Sequence, residues 1–413
     1  MTHAFRETAP LPEFGPPVST LVLFGRTRDR IASMARLLAR WMAADGAAVP
    51  LSDVAHTLNH HRAWHRLFAT VCARDRAQAI AGLTALAQGR PAPGVVEPHE
   101  GPCRIGTVFV YPGEGSEWTG MGRQLLADEP EFAMAVAELD AVFVQQLGFS
   151  LRRALTAGEP VVGTERAQPV LMGLQLALTE LWRVHGTLPQ AVIGLSTGEV
   201  TAAVVAGALS VAEGLRVIAI RSRFAARLAE QDVTAHTEQT DALVAELRSA
   251  LGDVARRKPV VPLISTVTDP RTAPVLDAEY WVENLRRPAR FREAVTVGVR
   301  DNATFVEISP DARLTQTVNE VLGGTHHHSV GTLCRHGDDT VSFHTNVNAT
   351  HTIYPPETPH PAEPHPVVPT APMRHIPLSV TSVGARRSGA YSRREAGAAR
   401  SARPLGAMTF RRY

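Results

Sequence analysis

The chain has 413 residues, 44% of them hydrophobic and 20% charged, enough for one sizeable core and two or three modest domains. Its formal net charge of +2 is unevenly spread: residues 381–413 hold eight Arg and one Glu, so the preceding residues are net acidic, which excludes a nucleic-acid-binding body. Three cysteines (Cys72, Cys103 and Cys334) exclude a disulfide framework and lack metal-ligand spacing. No signal-like apolar run and no membrane-spanning stretch is read from the sequence, and a reducing, cytoplasmic setting is expected.

In chain order, residues 1–17 are Pro-rich and read as extended. TLVLFG (20–25) reads as a strand. Residues 28–44 read as a helix capped by Thr27, with Met34, Leu37, Leu38 and Trp41 on one side. A helical stretch within 51–65, a strand at 68–73 and a helix at 76–87 complete a small α/β unit over residues 18–100. GRPAPGVVEPHEGP (89–102) reads as a linker.

The next unit begins with an apolar strand at 107–111, which runs into PGEGSEWTGMG (112–122). A helix-rich stretch follows, and a helix is predicted at 168–185 from the spacing of Leu171, Leu174, Leu178 and Leu181. A short buried strand at 191–194, an apolar helix at 199–209 and a helix at 212–226 come next. Strands are predicted at 261–266 and 304–308, and a helix at 312–321. This alternation implies an α/β fold with a mostly parallel sheet and helices on both faces. After residue 333 the pattern decays. Residues 351–372 contain eight Pro in 22 positions and read as extended. The nearby histidines and His326–His328 have no Cys or acidic ligand at a recognisable spacing, so no metal is expected. The tail, 376–413, is basic, lacks periodicity and reads as disordered.

The sharpest chemical signal is Gly194-Leu195-Ser196-Thr197-Gly198, a G-x-S-x-G pattern between a predicted strand and a predicted helix. In that context it is a nucleophile elbow, with Ser196 presented near a helix N-terminus whose free N–H groups stabilise negative charge. A serine hydroxyl needs a base. His236 is the first candidate, although its spacing fits an ordinary surface imidazole equally well. Asn284 could offer a carbonyl to orient that imidazole. If the helices at 199–209 and 212–226 are antiparallel, Arg221 returns toward the elbow, where its fork suits a substrate carboxylate; read alone, it also fits a surface helical Arg. PGEGSE (112–117) lacks the Lys and Ser/Thr of a phosphate loop. It reads as an anion cradle, or as an oxyanion loop whose Glu114 N–H faces the same charge as the N–H of Thr197.

These residues together resemble the acyltransferase domain of type I polyketide synthases, in particular the mycobacterial mycocerosic acid synthase type. The resemblance is carried by FVYPGEGSEWTGMGRQLL, QPVLMGLQLALTELW, VIGLSTGEVTAAVVAGALS, IAIRSR, PLISTV, YWVENLRRPARF and TFVEISPDARLT, in that order. Residues 18–100 resemble the ketosynthase-to-acyltransferase linker domain, and 104–332 the acyltransferase. Residues 333–375, with DDTVSFHTNVNATHT, resemble the linker that follows it. The resemblance implies a hydrolase-like acyltransferase lobe. It also implies transfer of a malonyl or methylmalonyl group from coenzyme A to a serine, then to the phosphopantetheine thiol of an acyl carrier protein or polyketide synthase module. Coenzyme A is a substrate there, and no cofactor or metal is bound by the chain. By resemblance Ser196 is the nucleophile, His236 the base, Asn284 its orienter and Arg221 the carboxylate holder, and the backbone of Glu114 and Thr197 forms the oxyanion hole. VTAH (233–236) leans toward the methylmalonyl form.

Three departures stand out. Leu195 occupies a position usually held by His. Glu114 and Glu117 stand where the family has Gln, so a carboxyl lies near a substrate carboxylate and an oxyanion. Arg221 and His236 are separated by a short loop, where the family carries a small ferredoxin-like subdomain forming the other wall of the cleft. Its near-absence is expected to expose the site and weaken transfer. A catalytically inactive synthase remnant or docking protein and a general serine hydrolase are the alternative readings.

Overall fold

Residues Ser19–Gly25 form the first strand, β1, because its alternating side chains serve two faces at once: Leu21 and Leu23 pack under helices while Val22 and Phe24 meet Phe68 on the other side. The computed structural model describes residues 16–99, 106–157, 163–229, 238–252, 254, 257–358 and 368, all within a single unit, Met1–Pro372. His236, Cys103, residues 1–15 and the basic tail lie outside the described residues. Helices α1 (Arg28–Ala43) and α2 (Leu51–His60) follow, then β2 (Leu67–Ala73), α3 (Arg76–Gln88) and β3 (Val95–Val96). Thr27 caps α1 by accepting from the Arg30 N–H. The sheet is antiparallel with order β1-β2-β3. The short β3 lies within the stretch expected to be only a linker; Val95 pairs with Val71 there and packs on the core.

The larger sheet belongs to the second part of the chain. Its elements in sequence are β4 (Thr107–Tyr111), α4 (Arg123–Asp128), α5 (Pro130–Leu147), α6 (Leu151–Thr156), α7 (Thr164–Val184) and β5 (Ala191–Gly194). Then come α8 (Gly198–Val205), α9 (Val211–Ala229), α10 (Glu238–Ala250), β6 (Leu263–Ile264), α11 (Ala278–Arg286) and α12 (Phe291–Gly298). The last are β7 (Thr304–Glu307), α13 (Thr315–Leu322), β8 (His328–Val330) and α14 (Asp339–Thr350). The strands are parallel, ordered β6-β5-β4-β7-β8. Phe109 and Tyr111 point into the core shared with α5, α7, α8 and α9, whereas Val108 and Val110 face α12 and α13. This is the α/β architecture expected of a parallel sheet buried on both sides.

Beyond β3, the structure departs from the sequence expectation in further places. The strand expected at 261–266 pairs only over Leu263–Ile264. Beyond residue 333 the chain forms α14, capped by Asp338 and anchored through Val341, Phe343 and Val347. His328 heads the edge strand β8, paired with Thr304. Between α9 and β6 the described residues contain α10 and no strand, so the described chain builds no second sheet there. Among the described residues no helix is long and apolar enough to cross a membrane, and no group of three or more His, Cys, Asp or Glu is placed to hold a metal.

The two sheets are tied by Arg74, which follows β2. Its guanidinium donates to Asp128 at the end of α4 and to Asp338 at the start of α14. Asn348 of α14 also donates to the buried Cys72 sulfur at 3.0 Å.

Candidate active site

Parallel strands leave their C-terminal ends facing one edge, and loops there collect functional groups. Two such loops meet beyond β4 and β5. Ser196 has φ +55°, a left-handed conformation that costs a non-Gly residue on the order of 1–3 kcal/mol. The surroundings enforce it. The Leu195 N–H donates to the Tyr111 carbonyl at 2.9 Å, and the Glu199 N–H to the Ser196 carbonyl at 3.2 Å. A Cβ on Gly198 would lie 2.0 Å from the Tyr111 carbonyl oxygen, and one on Gly194 2.3 Å from the Glu199 Cα. The two glycines of the G-x-S-x-G pattern are therefore demanded by close backbone approach. A Cβ on Gly113 would come 3.0 Å from both the Leu195 carbonyl and the Thr197 hydroxyl, and 3.2 Å from the Ser196 Cβ; the PGEG loop thus lies against the elbow. Leu195 turns into the apolar cluster that includes Ile264 and Phe291, which accounts for an apolar residue beside the serine.

Helices α8 and α9 form the return that the sequence suggested. Arg221 is only 4% exposed; its Nη2 donates to the Ser196 Oγ at 2.9 Å and its Nε to the Asn284 Oδ1 at 2.9 Å. Asn284 in turn donates from Nδ2 to the Ser196 carbonyl at 3.0 Å. The carbonyl expected to orient His236 is thus engaged by Arg221. Burial brings the Arg221 guanidinium down to about 10, partly opposed by the Glu114 carboxylate, so it stays cationic at neutral pH.

A polar scaffold holds this arrangement. Gln175, buried in α7, donates to the Pro112 carbonyl at 2.9 Å and accepts from the Thr201 hydroxyl at 2.7 Å, fixing the PGEG loop against α8. Gln168, one face-repeat earlier on α7, accepts from the Ser222 hydroxyl at 2.6 Å. Beneath the elbow, Glu199 is fully buried. It accepts from the Thr266 N–H at 2.6 Å, the Thr266 hydroxyl at 2.8 Å and the Tyr280 hydroxyl at 2.9 Å. Burial raises its carboxyl to about 7 against these hydrogen bonds. Tyr280 and Asn284 lie one turn apart on α11, so that helix is clamped under the serine at two points.

Ser196, Arg221 and Asn284 are thus brought together, with Thr197 and the Glu114 segment beside them; His236 lies outside the described residues. Sequence reasoning missed Gln168, Gln175, Glu199 and Tyr280. The detectable signal was two Gln seven positions apart in an otherwise apolar helix, and an acid immediately after the elbow in an apolar segment.

A serine on a strand-to-helix elbow, with a buried guanidinium at its oxygen, defines a hydrolase-like α/β site suited to acyl chemistry. The chain belongs to the acyl transferase domain family, which matches residues 108–232 and 224–356. The two matched segments meet between Arg221 and His236. The chain is similar to one phenolphthiocerol/phthiocerol polyketide synthase protein of Mycobacterium tuberculosis, 45% identical over 446 aligned positions that take in 89% of this chain and 29% of that protein. It is also 46% identical to another phenolphthiocerol/phthiocerol polyketide synthase protein of the same organism over 397 positions, 81% of this chain and 22% of the relative. The chain therefore spans less than a third of these curated relatives. In the first alignment the 446 positions exceed the 413 residues present, so that relative carries positions with no residue opposite. Among solved structures, the acyltransferase domain from module 8 of the salinomycin polyketide synthase is 30% identical with a TM-score of 0.69, spanning 82% of this chain and 96% of that one. The acyltransferase domain of the polyketide synthase PpsC of M. tuberculosis is 40% identical with a TM-score of 0.52, spanning 62% and 97%.

Proposed function

We propose that the chain transfers a malonyl or methylmalonyl group from coenzyme A through an ester on Ser196 to the phosphopantetheine thiol of a carrier protein, within polyketide or branched fatty-acid synthesis. The observation that carries this reading is the buried Arg221 guanidinium 2.9 Å from the Ser196 Oγ, steadied by Asn284. A neutral acyl group needs no such cation, whereas the carboxylate of a malonyl-type thioester matches a guanidinium fork. This also disfavours a general serine hydrolase.

In the proposed reaction the Ser196 oxygen attacks the thioester carbonyl while its proton passes to His236. The C–S bond breaks and the departing thiolate takes that proton as free coenzyme A. The carrier thiol then attacks the ester, its proton passing through His236 to the Ser196 oxygen as the C–O bond breaks. The N–H groups of Glu114 and Thr197 receive the negative charge of each tetrahedral intermediate. Asn284 acts as a positioning residue, holding Arg221 and the elbow carbonyl. VTAH (233–236) favours methylmalonyl.

Intact-protein mass spectrometry after incubation with methylmalonyl-CoA or malonyl-CoA tests the proposal. An acyl mass increase on the wild type that is lost in Ser196→Ala is expected. No increase with either donor at high protein concentration overturns it. A second reading, a non-catalytic partner of a synthase, is favoured by the break in the family match between Arg221 and His236; capture of a carrier protein without acylation would support it.

A further inference from the structure

We propose that Glu199 is a positioning residue that supports the nucleophile elbow as a neutral carboxylic acid, donating its proton to the Thr266 hydroxyl, which in turn donates to the Gly194 carbonyl. Its effect on acylation rests on the reading of Ser196 given above; its protonation does not.

The hydroxyls beneath the elbow are one hydrogen short. Thr266 Oγ1 lies 2.9 Å from the Gly194 carbonyl and 2.8 Å from the Glu199 carboxyl. Both are full hydrogen-bond distances, yet a hydroxyl has a single hydrogen to give. The neighbouring hydroxyls lend no other. Tyr280 gives its hydrogen to the second Glu199 oxygen at 2.9 Å. Ser265 accepts from the Val267 and Thr268 N–H groups and lies 2.9 Å from the Tyr280 oxygen, so its hydrogen goes to Tyr280. A proton on Glu199 completes the set: the acid donates to Thr266, and Thr266 to Gly194. When that proton leaves, the Thr266 hydrogen turns to the carboxylate and the Gly194 carbonyl loses this donor.

Gly194 opens the elbow and packs so closely on Glu199 that a Cβ there would lie 2.3 Å from the Glu199 Cα. The Glu199 N–H holds the Ser196 carbonyl at 3.2 Å. Tyr280 shares α11 with Asn284, which holds that same carbonyl and Arg221. The acid thus acts on the backbone on both sides of the serine. The charged groups of the surrounding elements are engaged elsewhere. Arg221 of α9 is turned to Ser196 and Asn284. On α11, Glu279 pairs with Arg248 and Glu283 with Arg287. After β6, Asp269 pairs with Arg271, and Arg290 with Glu293. Burial among neutral groups raises the Glu199 carboxyl to about 7. Ionised, it is a buried anion whose hydrogen bonds among the described residues come from neutral donors, and it opposes the negative charge that develops on the acyl oxygen.

Infrared difference spectroscopy from about pH 5.5 to about pH 8.5 reads the proton directly. The wild-type chain should show a protonated-carboxyl band that fades near pH 7 and is missing in Glu199→Gln. Asp339, also raised to about 7 by burial, gives a band that this variant keeps. Tyr280→Phe removes a donor that favours the carboxylate, so the Glu199 band should fade about one pH unit higher. That shift identifies the band even if Glu199→Gln does not fold. Initial rates of Ser196 labelling by methylmalonyl-CoA, read by intact-protein mass spectrometry over the same range, test the positioning role. Above about pH 7 the wild-type rate should fall about three- to tenfold. The fall should be absent in Glu199→Gln and should move up with the band in Tyr280→Phe. If Glu199→Gln loses no band, the inference is overturned and acyl transfer stands; an alkaline fall identical in wild type and Glu199→Gln has the same effect. A wild-type chain that shows the band but takes no label overturns the acyl-transfer reading and the positioning role with it.

Discussion

Arg221 donates to Ser196: the guanidinium Nη2 sits 2.9 Å from the hydroxyl oxygen. The serine oxygen is therefore an acceptor, and its own proton is left to point toward a base. The same guanidinium is anchored by Asn284 through Nε, so its position is set before any acyl group arrives.

Arg221→Lys removes the fork and the Asn284 contact while keeping the charge. A hydrogen bond to a charged group is worth about 1.5–3 kcal/mol. Ser196 labelling by a carboxyacyl-CoA should then drop about ten- to hundred-fold, with a much smaller change for propionyl-CoA. Coenzyme A release measured with both donors decides this; equal losses for the two would remove Arg221 from carboxylate recognition.

Gly198 and Gly186 offer a paired stability test. A Cβ at Gly198 meets the Tyr111 carbonyl at 2.0 Å, whereas at Gly186 nothing lies within 4 Å and only the positive φ of +81° is strained. We predict that Gly186→Ala costs about 1–2 kcal/mol. Gly198→Ala should cost more than about 4 kcal/mol or prevent folding. Urea midpoints of the two variants would show it, and a mild Gly198→Ala would contradict the packing described for the elbow.

Glu199 links stability to pH. Its carboxyl is raised from 4.5 to about 7 by burial, so between those values the folded chain keeps a proton that the unfolded chain releases. That stabilising contribution is complete at low pH and fades as pH rises toward 7. Half-buried His185 and His328, whose imidazoles are lowered by partial desolvation, act in the same window with opposite sign. The comparison of Glu199→Gln with its parent isolates the carboxyl. The variant should gain on the parent from about pH 5 to about pH 7, by on the order of 1–3 kcal/mol. A constant difference across that range in denaturation experiments would refute the assignment.

Arg74 is 8% exposed and its partner Asp128 is 7% exposed, so removing the cation strands a buried carboxylate and leaves the half-buried Asp338 without it. Arg74→Met should destabilise by about 3–5 kcal/mol. Adding Asp128→Asn and Asp338→Asn should recover most of that loss. Chemical denaturation of the single and triple variants gives the answer, and a triple variant no better than Arg74→Met would mean that packing rather than charge is the main cost.

Much of this architecture was legible from residue pattern alone. The strands at 107–111 and 191–194 were predicted over the residues they occupy, because parallel strands buried on both faces are short uniform apolar runs. Helix α14 was not, since its sequence is largely Thr, Asn, Ser and His and only three apolar residues anchor it. Ser196 was visible through its flanking glycines, and Arg221 through a helix return. The Glu199–Tyr280 and Gln175–Thr201 contacts were invisible because their partners are 81 and 26 residues apart; only folding joins them.

Asn59 carries a different consequence. Its side-chain amide accepts from the Val22 N–H at 2.9 Å and donates to the Thr20 carbonyl at 2.8 Å, standing in for a neighbour that β1 lacks on its outer side among the described residues. An unprotected strand border is a template for pairing between copies. One planar side chain thus occupies backbone groups that a second copy would need, and Asn59→Ala is expected to raise turbidity and thioflavin binding.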